Sequence, residues 1–108
     1  MDVKIYRWED ISPETVMGGL SRRAIHTERM TLGLFDLPKG STVPSHSHEQ
    51  EQVTYLLRGK ALFKVDGREF TVTGGGVIHF PSGVSHSAEV LDDALSLDVF
   101  SPPREDWK

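Results

Sequence analysis

Cysteine is absent from the 108-residue chain. This absence excludes disulfides, thiolate nucleophiles, iron–sulfur clusters and zinc sites built on thiolates. Any metal ion bound by this chain has to be held by histidine, carboxylate or amide side chains.

Long apolar runs and an excess of basic charge are also lacking. No run of apolar side chains exceeds three residues, whereas a helix that spans a bilayer needs roughly 20. Twelve basic side chains against sixteen acidic ones give a net charge of -4. This balance argues against nucleic acid as a partner, because phosphate binding needs a basic face. The N-terminus does not resemble a secretory signal, so we expect a cytoplasmic protein with no membrane role.

Short β-forming segments separated by glycine and proline make up most of the sequence. The β pattern begins at residue 21, and we predict strands at residues 29–37, 52–57, 61–65, 69–72, 77–80, 85–90 and 94–100. Asp66 and Gly67 tolerate the positive φ of a type I′ turn and predict a tight hairpin. Residues 1–20 predict an arm with at most a short helical turn. Because no amphipathic helix is evident, we predict one all-β domain, a sandwich or small barrel.

Histidines at close spacing form the candidate site. His46 and His48 are two residues apart, which on a strand places both on one face. Gln52 lies at the start of the next strand, and His86 follows a Pro-Ser-Gly turn. Three imidazoles and one amide oxygen suit a divalent transition metal such as Ni, Zn, Mn or Fe. Spaced histidines also occur on exposed strands that bind nothing, and the residues alone leave that alternative open.

Two longer motifs surround these histidines. The first resembles the first motif of the cupin superfamily and comprises Gly40, His46, His48, Gln52 and Gly59. The second resembles the second cupin motif and comprises Gly75, Pro81, Ser82, Gly83 and His86. The resemblance implies a double-stranded β-helix (jelly-roll) barrel over residues 21–101, with an arm at 1–20, a tail at 102–108 and one metal ion at its mouth. It also implies a homodimer.

The chain departs from the cupin motif at one metal ligand. Gln52 stands where glutamate is usual, and Gly76 stands where the second motif often has aspartate. A neutral amide leaves the charge of the metal ion uncompensated, which favours an anionic ligand such as a substrate carboxylate. The alternative is that glutamine marks the loss of the metal.

The C-terminal segment indicates which of the many cupin activities to expect. The alternation of a strand puts Asp98 and Phe100 on the face opposite Leu97 and Val99. Burying an aspartate costs free energy unless the carboxylate is paired or has a role in function. With Arg104 in the tail, the chain resembles the KdgF-type cupins of pectin and alginate breakdown, which convert 4,5-unsaturated monouronates to linear keto-uronates. The resemblance implies that Asp98, Phe100 and Arg104 belong to the active site and that the substrate is a small anionic sugar.

Other interpretations stay open. A metal-dependent dioxygenase would use the same histidines, and a non-catalytic cupin would bind a sugar or effector without turnover. We expect His26 and His79 to lie outside the metal site. The neighbours of His26 show no ligand spacing, and His79 alternates with Ile78, so we expect it to face away from the core or into a dimer contact. Residues 49–51 predict a solvated turn. One of the arginines at 22–23 is a candidate for holding an acidic sugar, although solvated charge is the simpler interpretation.

Overall fold

Strands are the dominant secondary structure, and the computed structural model describes all of residues 1–108. The strands are β1 (Glu14–Thr15), β2 (Ser21–His26), β3 (Thr31–Leu37), β4 (Thr42–His46), β5 (Glu51–Val65), β6 (Arg68–Thr73), β7 (Val77–Phe80) and β8 (His86–Ser101). Single 3₁₀ turns occupy Trp8–Asp10, Met17–Gly19 and Glu105–Trp107. No helix combines the length and the apolar character that crossing a membrane requires.

The strands pair in antiparallel fashion in the order β1-β2-β3-β8-β5-β6, with β4 added to β8 and β7 added to β5. The two central strands each change neighbours along their length. The first part of β8 pairs with β4 and its second part with β3, while β5 pairs first with β7 and then with β6. This exchange of neighbours closes the jelly-roll barrel, and the predicted all-β fold is confirmed.

The two central strands are longer than predicted. We predicted separate strands at 52–57 and 61–65 and at 85–90 and 94–100, whereas the structure has one continuous strand in each place. Their mutual pairing shifts register between Leu56 and Ala61. Such bulges bend a strand without ending it, so the glycine and charged residues at these points mark a bend rather than a turn.

Gly59 makes this bend possible. Its φ is +93°, and a β-carbon built there would lie 2.6 Å from the Ala94 α-carbon on the paired strand. Only glycine fits both the backbone conformation and the close approach.

The remaining strand predictions agree with the structure at some strands and differ from it at others. β3, β6 and β7 lie close to the predicted ranges, and the hairpin turn has positive φ at both Asp66 (50°) and Gly67 (74°), as a type I′ turn requires. The arm contains two 3₁₀ turns and also β1, which pairs with β2. β1 was not predicted, because it has only two residues. A strand was expected at His46 and His48 but without a range, because β4 contains a proline.

The interior is divided between apolar and polar residues. One cluster is apolar and contains Leu56, Ala61, Phe63, Phe80, Val90 and Ala94. Elsewhere the buried side chains are largely polar and include Thr31, Gln52, Thr54, His86, Ser96 and Asp98. Buried polar groups cost free energy unless they are hydrogen-bonded or bound to a ligand, so the polar part of the interior identifies the candidate site.

Candidate metal centre

Three imidazoles converge inside the barrel. His46 is the last residue of β4 and pairs directly with His86, the first residue of β8. His48 lies beyond the end of β4, so the prediction that both neighbouring histidines share one strand face is wrong. Nevertheless, one ring nitrogen from each of the three imidazoles lies within 4.8 Å of the others.

Each imidazole is oriented by the backbone close to it. The Nδ1 atoms of His46, His48 and His86 lie 2.9, 2.9 and 3.0 Å from the carbonyl oxygens of Pro44, Gln50 and Val84. A carbonyl only accepts, so each Nδ1 carries the proton and each Nε2 keeps its lone pair. This is the arrangement that orients histidine toward a metal ion.

The electrostatics of the site also favour neutral imidazoles. Burial lowers the pKa of His86 to about 4, although its hydrogen bond to Val84 opposes the shift. Burial lowers the pKa of His48 as well, and the nearby charge of Arg104 lowers it further. Metal ions bind the neutral form of histidine, so these two side chains are in the ligand form at neutral pH.

Gln52 faces the imidazoles with its oxygen. Its amide nitrogen donates to the Thr54 hydroxyl at 2.9 Å and to the Asp98 carboxylate at 3.3 Å. Because a carboxylate accepts, these bonds fix the orientation of the amide and direct Oε1 toward His48 Nε2, 3.0 Å away. Gln52 is the second residue of β5, as predicted.

The close contact between His48 Nε2 and Gln52 Oε1 is favourable only with a cation bound to both atoms. His48 already holds its proton on Nδ1, so Nε2 and the amide oxygen face each other as two acceptors. A second proton on His48 is disfavoured by the lowered pKa. In addition, His86 Nε2 is buried without a hydrogen-bond partner. A divalent metal ion would satisfy all three atoms at once, so the residues present fit such an ion.

Asp98 lies beside this centre on the inward face of β8, with 8% of its surface exposed. Its Oδ2 accepts from Gln52, whereas its Oδ1 is buried without a partner. Burial raises the pKa of Asp98 to about 7, and the hydroxyls of Ser96 and Thr54 oppose the shift only in part. A carboxyl group with such a pKa exchanges protons readily near neutral pH.

Phe100 and Arg104 complete this side of the interior. Phe100 is buried, and its ring centroid lies 5.6 Å from that of His48. The backbone N–H of Arg104 donates to the Thr31 hydroxyl, and its guanidinium group donates twice to Asp106, at 3.0 and 2.9 Å. The guanidinium carbon of Arg104 lies 4.9 Å from the centroid of the Phe100 ring.

Trp107 is a site residue that the sequence did not identify. Its ring packs edge-on against Phe35 and Phe100, with centroids 5.8 and 5.0 Å apart. The guanidinium carbons of Arg22 and Arg104 lie 3.9 and 4.6 Å from the Trp107 ring centroid. The only signal for this role was a large aromatic residue in an otherwise polar tail.

Gln50 is a second departure from the sequence prediction. Residues 49–51 were predicted to form a solvated turn, but Gln50 is buried and donates to the Pro103 carbonyl at 3.1 Å. This bond ties the loop that carries His48 to the tail that carries Arg104. Glu51, by contrast, is exposed and lies 2.7 Å from His79.

A cavity of about 260 Å³ brings these residues together. Six of the residues predicted from sequence line it: His46, Gln52, His86, Asp98, Phe100 and Arg104. His48 belongs to the imidazole cluster without lining the cavity, and Arg22 and Trp107 are additional lining residues. His26 and His79 line no part of it, as expected.

Comparisons with known proteins agree with this fold. The family model described as Cupin domain matches residues 33–100. An oxalate-binding protein of Thermotoga maritima is 33% identical over 98 residues, which cover 79% of this chain and 81% of that protein. A solved RmlC-like cupin from Shewanella frigidimarina has a TM-score of 0.91 at 28% identity, covering 99% of this chain and 97% of that one. The structure of KdgF from Halomonas sp. has a TM-score of 0.92 at 24% identity and covers 99% and 100% of the two chains.

Proposed function

The chain belongs to the cupin family, and we propose that it is a metal-dependent enzyme that converts 4,5-unsaturated monouronates to linear keto-uronates. The observation that carries the proposal is the position of Asp98, a buried carboxyl group hydrogen-bonded to Gln52 in the cavity that also contains Arg104 and Phe100. The close likeness in fold to KdgF from Halomonas sp. supports it.

We propose that one divalent transition metal ion, Ni, Zn, Mn or Fe, is held by His46, His48, Gln52 and His86. The three protonated Nδ1 atoms and the facing acceptors of His48 and Gln52 support this assignment. When bound, the ion supplies Lewis-acid polarisation of substrate oxygens. All four proposed ligands are neutral, so the centre keeps its positive charge and attracts an acidic substrate.

The chain's own residues have distinct roles in this proposal. Arg104 binds the substrate carboxylate through the N–H groups that Asp106 leaves free. Phe100 packs against the face of the sugar ring. Asp98 removes the proton from the anomeric hydroxyl, the C1=O bond of the aldehyde forms as the bond from C1 to the ring oxygen breaks, and the electron pair of the broken bond remains on the oxygen at C5 as an enolate. Asp98 then returns the proton to C4, which yields the ketone with no net oxidation or reduction.

The size and charge of the site suit such a substrate. A cavity of about 260 Å³ lies slightly below the roughly 300–1,000 Å³ of typical ligand pockets, which favours a monosaccharide over a polymer. The chain's net charge of -4 argues against nucleic acid as the ligand, whereas the proposed metal ion and Arg104 supply local positive charge for a small anion. We propose that the protein acts in the cytoplasm as a homodimer.

The test is the ultraviolet absorbance of the substrate's C4=C5 bond. The metal-loaded protein should remove this absorbance faster than the spontaneous reaction does. Asp98→Asn should reduce the rate by roughly 10²–10⁴, because the amide cannot carry the proton. Asp92→Asn is the matched control, since Asp92 is exposed on the same strand. A wild-type rate no greater than the spontaneous background would disprove the proposal.

Binding of a small dicarboxylate without turnover is the second candidate function. The 33% identity to the oxalate-binding protein of Thermotoga maritima favours it. In that case oxalate should stabilise the protein against heat, and the unsaturated uronate should neither bind nor react.

A further inference from the structure

A second guanidinium group reaches the cavity from the opposite end of the chain. Arg22, on β2, has only 14% of its side chain exposed and lines the cavity with Trp107. Its Nε donates to Glu14 at 2.9 Å, and its two terminal amino groups donate to no protein atom. Arg22 therefore presents two unused donors inside a partly apolar cavity.

The two arginines differ in how far their donors are occupied. The Nε and Nη2 atoms of Arg104 are both engaged by Asp106. The acid beside Arg22 is Glu14, and it accepts a hydrogen bond only from Nε. The outer edge of the Arg22 guanidinium, with two parallel N–H directions, is thus the more open one, and this edge matches the two oxygens of a carboxylate.

Trp107 holds both cations at this position. The two guanidinium carbons lie within 5 Å of the same indole centroid, at 3.9 and 4.6 Å. Two like charges that pack against one indole ring repel each other, and the partner acids are at the surface, with Glu14 and Asp106 side chains 55% and 62% exposed. An anion bound to the guanidinium groups in the cavity that both residues line would reduce this repulsion.

We propose that Arg22 is a specificity-determining residue that joins Arg104 in binding the ligand carboxylate, with Trp107 as the positioning residue for both. The inference rests on the proposed function, because it assigns how the same cavity selects an acidic sugar over a neutral one. Arg23 has no part in it. Its Nε donates to the Ile11 carbonyl, and its side chain does not line the cavity.

Calorimetric binding of galacturonate, a saturated uronate that cannot react, tests the assignment without turnover. The wild type should bind galacturonate and show no comparable affinity for neutral galactose. Arg22→Gln should raise the dissociation constant for galacturonate roughly tenfold to hundredfold, the loss expected for a charged hydrogen-bonded pair. Arg23→Gln removes the same charge from the adjacent position and should change the constant by less than about twofold.

Further variants separate charge from geometry. Arg22→Lys should recover only part of the affinity, because an ammonium group keeps the charge without the paired donors. Trp107→Phe should weaken galacturonate binding. The melting temperature of the Trp107→Phe variant should stay close to that of the Arg23→Gln control, which would show that the loss of binding does not come from unfolding. With a reactive substrate, Arg22→Gln should raise KM and leave kcat nearly unchanged, because Arg22 does not contact the reacting atoms.

Two results would overturn the assignment: equal galacturonate affinities for Arg22→Gln, Arg22→Lys and the wild type, or a wild type that binds galacturonate no better than galactose. If galacturonate binding depends on Arg22 but the unsaturated uronate is not consumed, the proposed activity fails and the assignment of Arg22 stands.

Discussion

At the scale of single residues, the site depends on neutral side chains in a buried place. Gln52 does two things that glutamate would not do together: it presents an oxygen to His48 and donates an N–H to Asp98. A glutamate at this position would bring a second negative charge next to the buried carboxyl group of Asp98, and like charges of that kind raise one pKa strongly. The amide would thus leave the charge of a bound metal ion uncompensated, and it adds no second carboxylate beside Asp98.

The pKa of Asp98 predicts an unusual pH dependence of stability in the metal-free protein. In the folded chain this pKa is raised to about 7, whereas its ordinary value is 3.8. Between these pH values the folded state binds more protons than the unfolded state, so the contribution of Asp98 to the free energy of unfolding falls as the pH rises. Asp98→Asn does not titrate and should gain stability relative to the wild type from pH 4 to pH 7, by more than about 1.4 kcal/mol, the equivalent of one pKa unit.

Urea denaturation of chelator-treated protein at several pH values measures this difference. The lowered pKa of His86 affects the wild type and the variant alike, so it cancels in the comparison. Asp92→Asn serves as the control and should follow the wild type. A stability difference between Asp98→Asn and the wild type that does not change with pH would contradict the raised pKa.

At the scale of elements, the bend in β5 brings the two halves of the barrel together. Gly59→Ala should destabilise the protein by about 2–5 kcal/mol, the combined cost of a positive φ for alanine and of a collision in a packed region. Gly67→Ala is a matched control, because Gly67 also has positive φ (+74°) but its β-carbon would meet nothing within 4 Å. It should lose only about 1–2 kcal/mol. Chemical denaturation compares the two variants, and equal losses would show that the close contact at Gly59 has no energetic role.

The sequence predicts some elements of the site better than others. The spacing of His46, Gln52 and His86 identified residues that the structure places in one cavity, because this information lies in local motifs and turns. Alternation also put Asp98 and Phe100 on one face of β8, and the structure shows that this face is buried. The packing of Arg22 on Trp107 joins the two ends of the chain, and no local pattern encodes such a contact.

Alternation also does not say which face of a strand is the inner one. In β3, Leu32 and Leu34 form an apolar row, but the structure buries Thr31 and Gly33 instead. The inner side at this point must accommodate Trp107 and the tail, since a β-carbon at Gly33 would lie 3.2 Å from the Trp107 ring. The apolar row is consequently left on the outside of the sheet.

At the scale of the whole molecule, this outer row continues across the sheet. Leu34 pairs with Leu97, Leu97 with Tyr55, and Tyr55 with Val77. Tyr55 and Val77 are 40% and 61% exposed. A contiguous apolar sheet face on the surface marks an interaction site, and we call these four residues the outer apolar face.

The N-terminal arm supplies a matching apolar surface in the same chain. Met1, Val3 and Ile5 alternate with polar residues and are almost wholly exposed, and no backbone hydrogen bond involves residues 1–6. The molecule measures 43 Å along its longest axis against 28 and 25 Å along the others. We expect the apolar side of this arm to pack on the outer apolar face of a second copy, a contact that twofold symmetry would repeat.

We therefore expect a homodimer in solution whose subunits meet through the outer apolar face and the arm. Val77→Lys places a charge on the most exposed residue of that face and should convert the dimer to a monomer. Ile5→Lys should weaken the dimer by roughly tenfold or more, since burying an unpaired lysine is costly. Thr71→Lys is the control, because Thr71 is an exposed strand residue outside the face. Sedimentation measures all three: a monomeric wild type would disprove the dimer, a dimeric Val77→Lys would exclude this face, and an unaffected Ile5→Lys would exclude the arm.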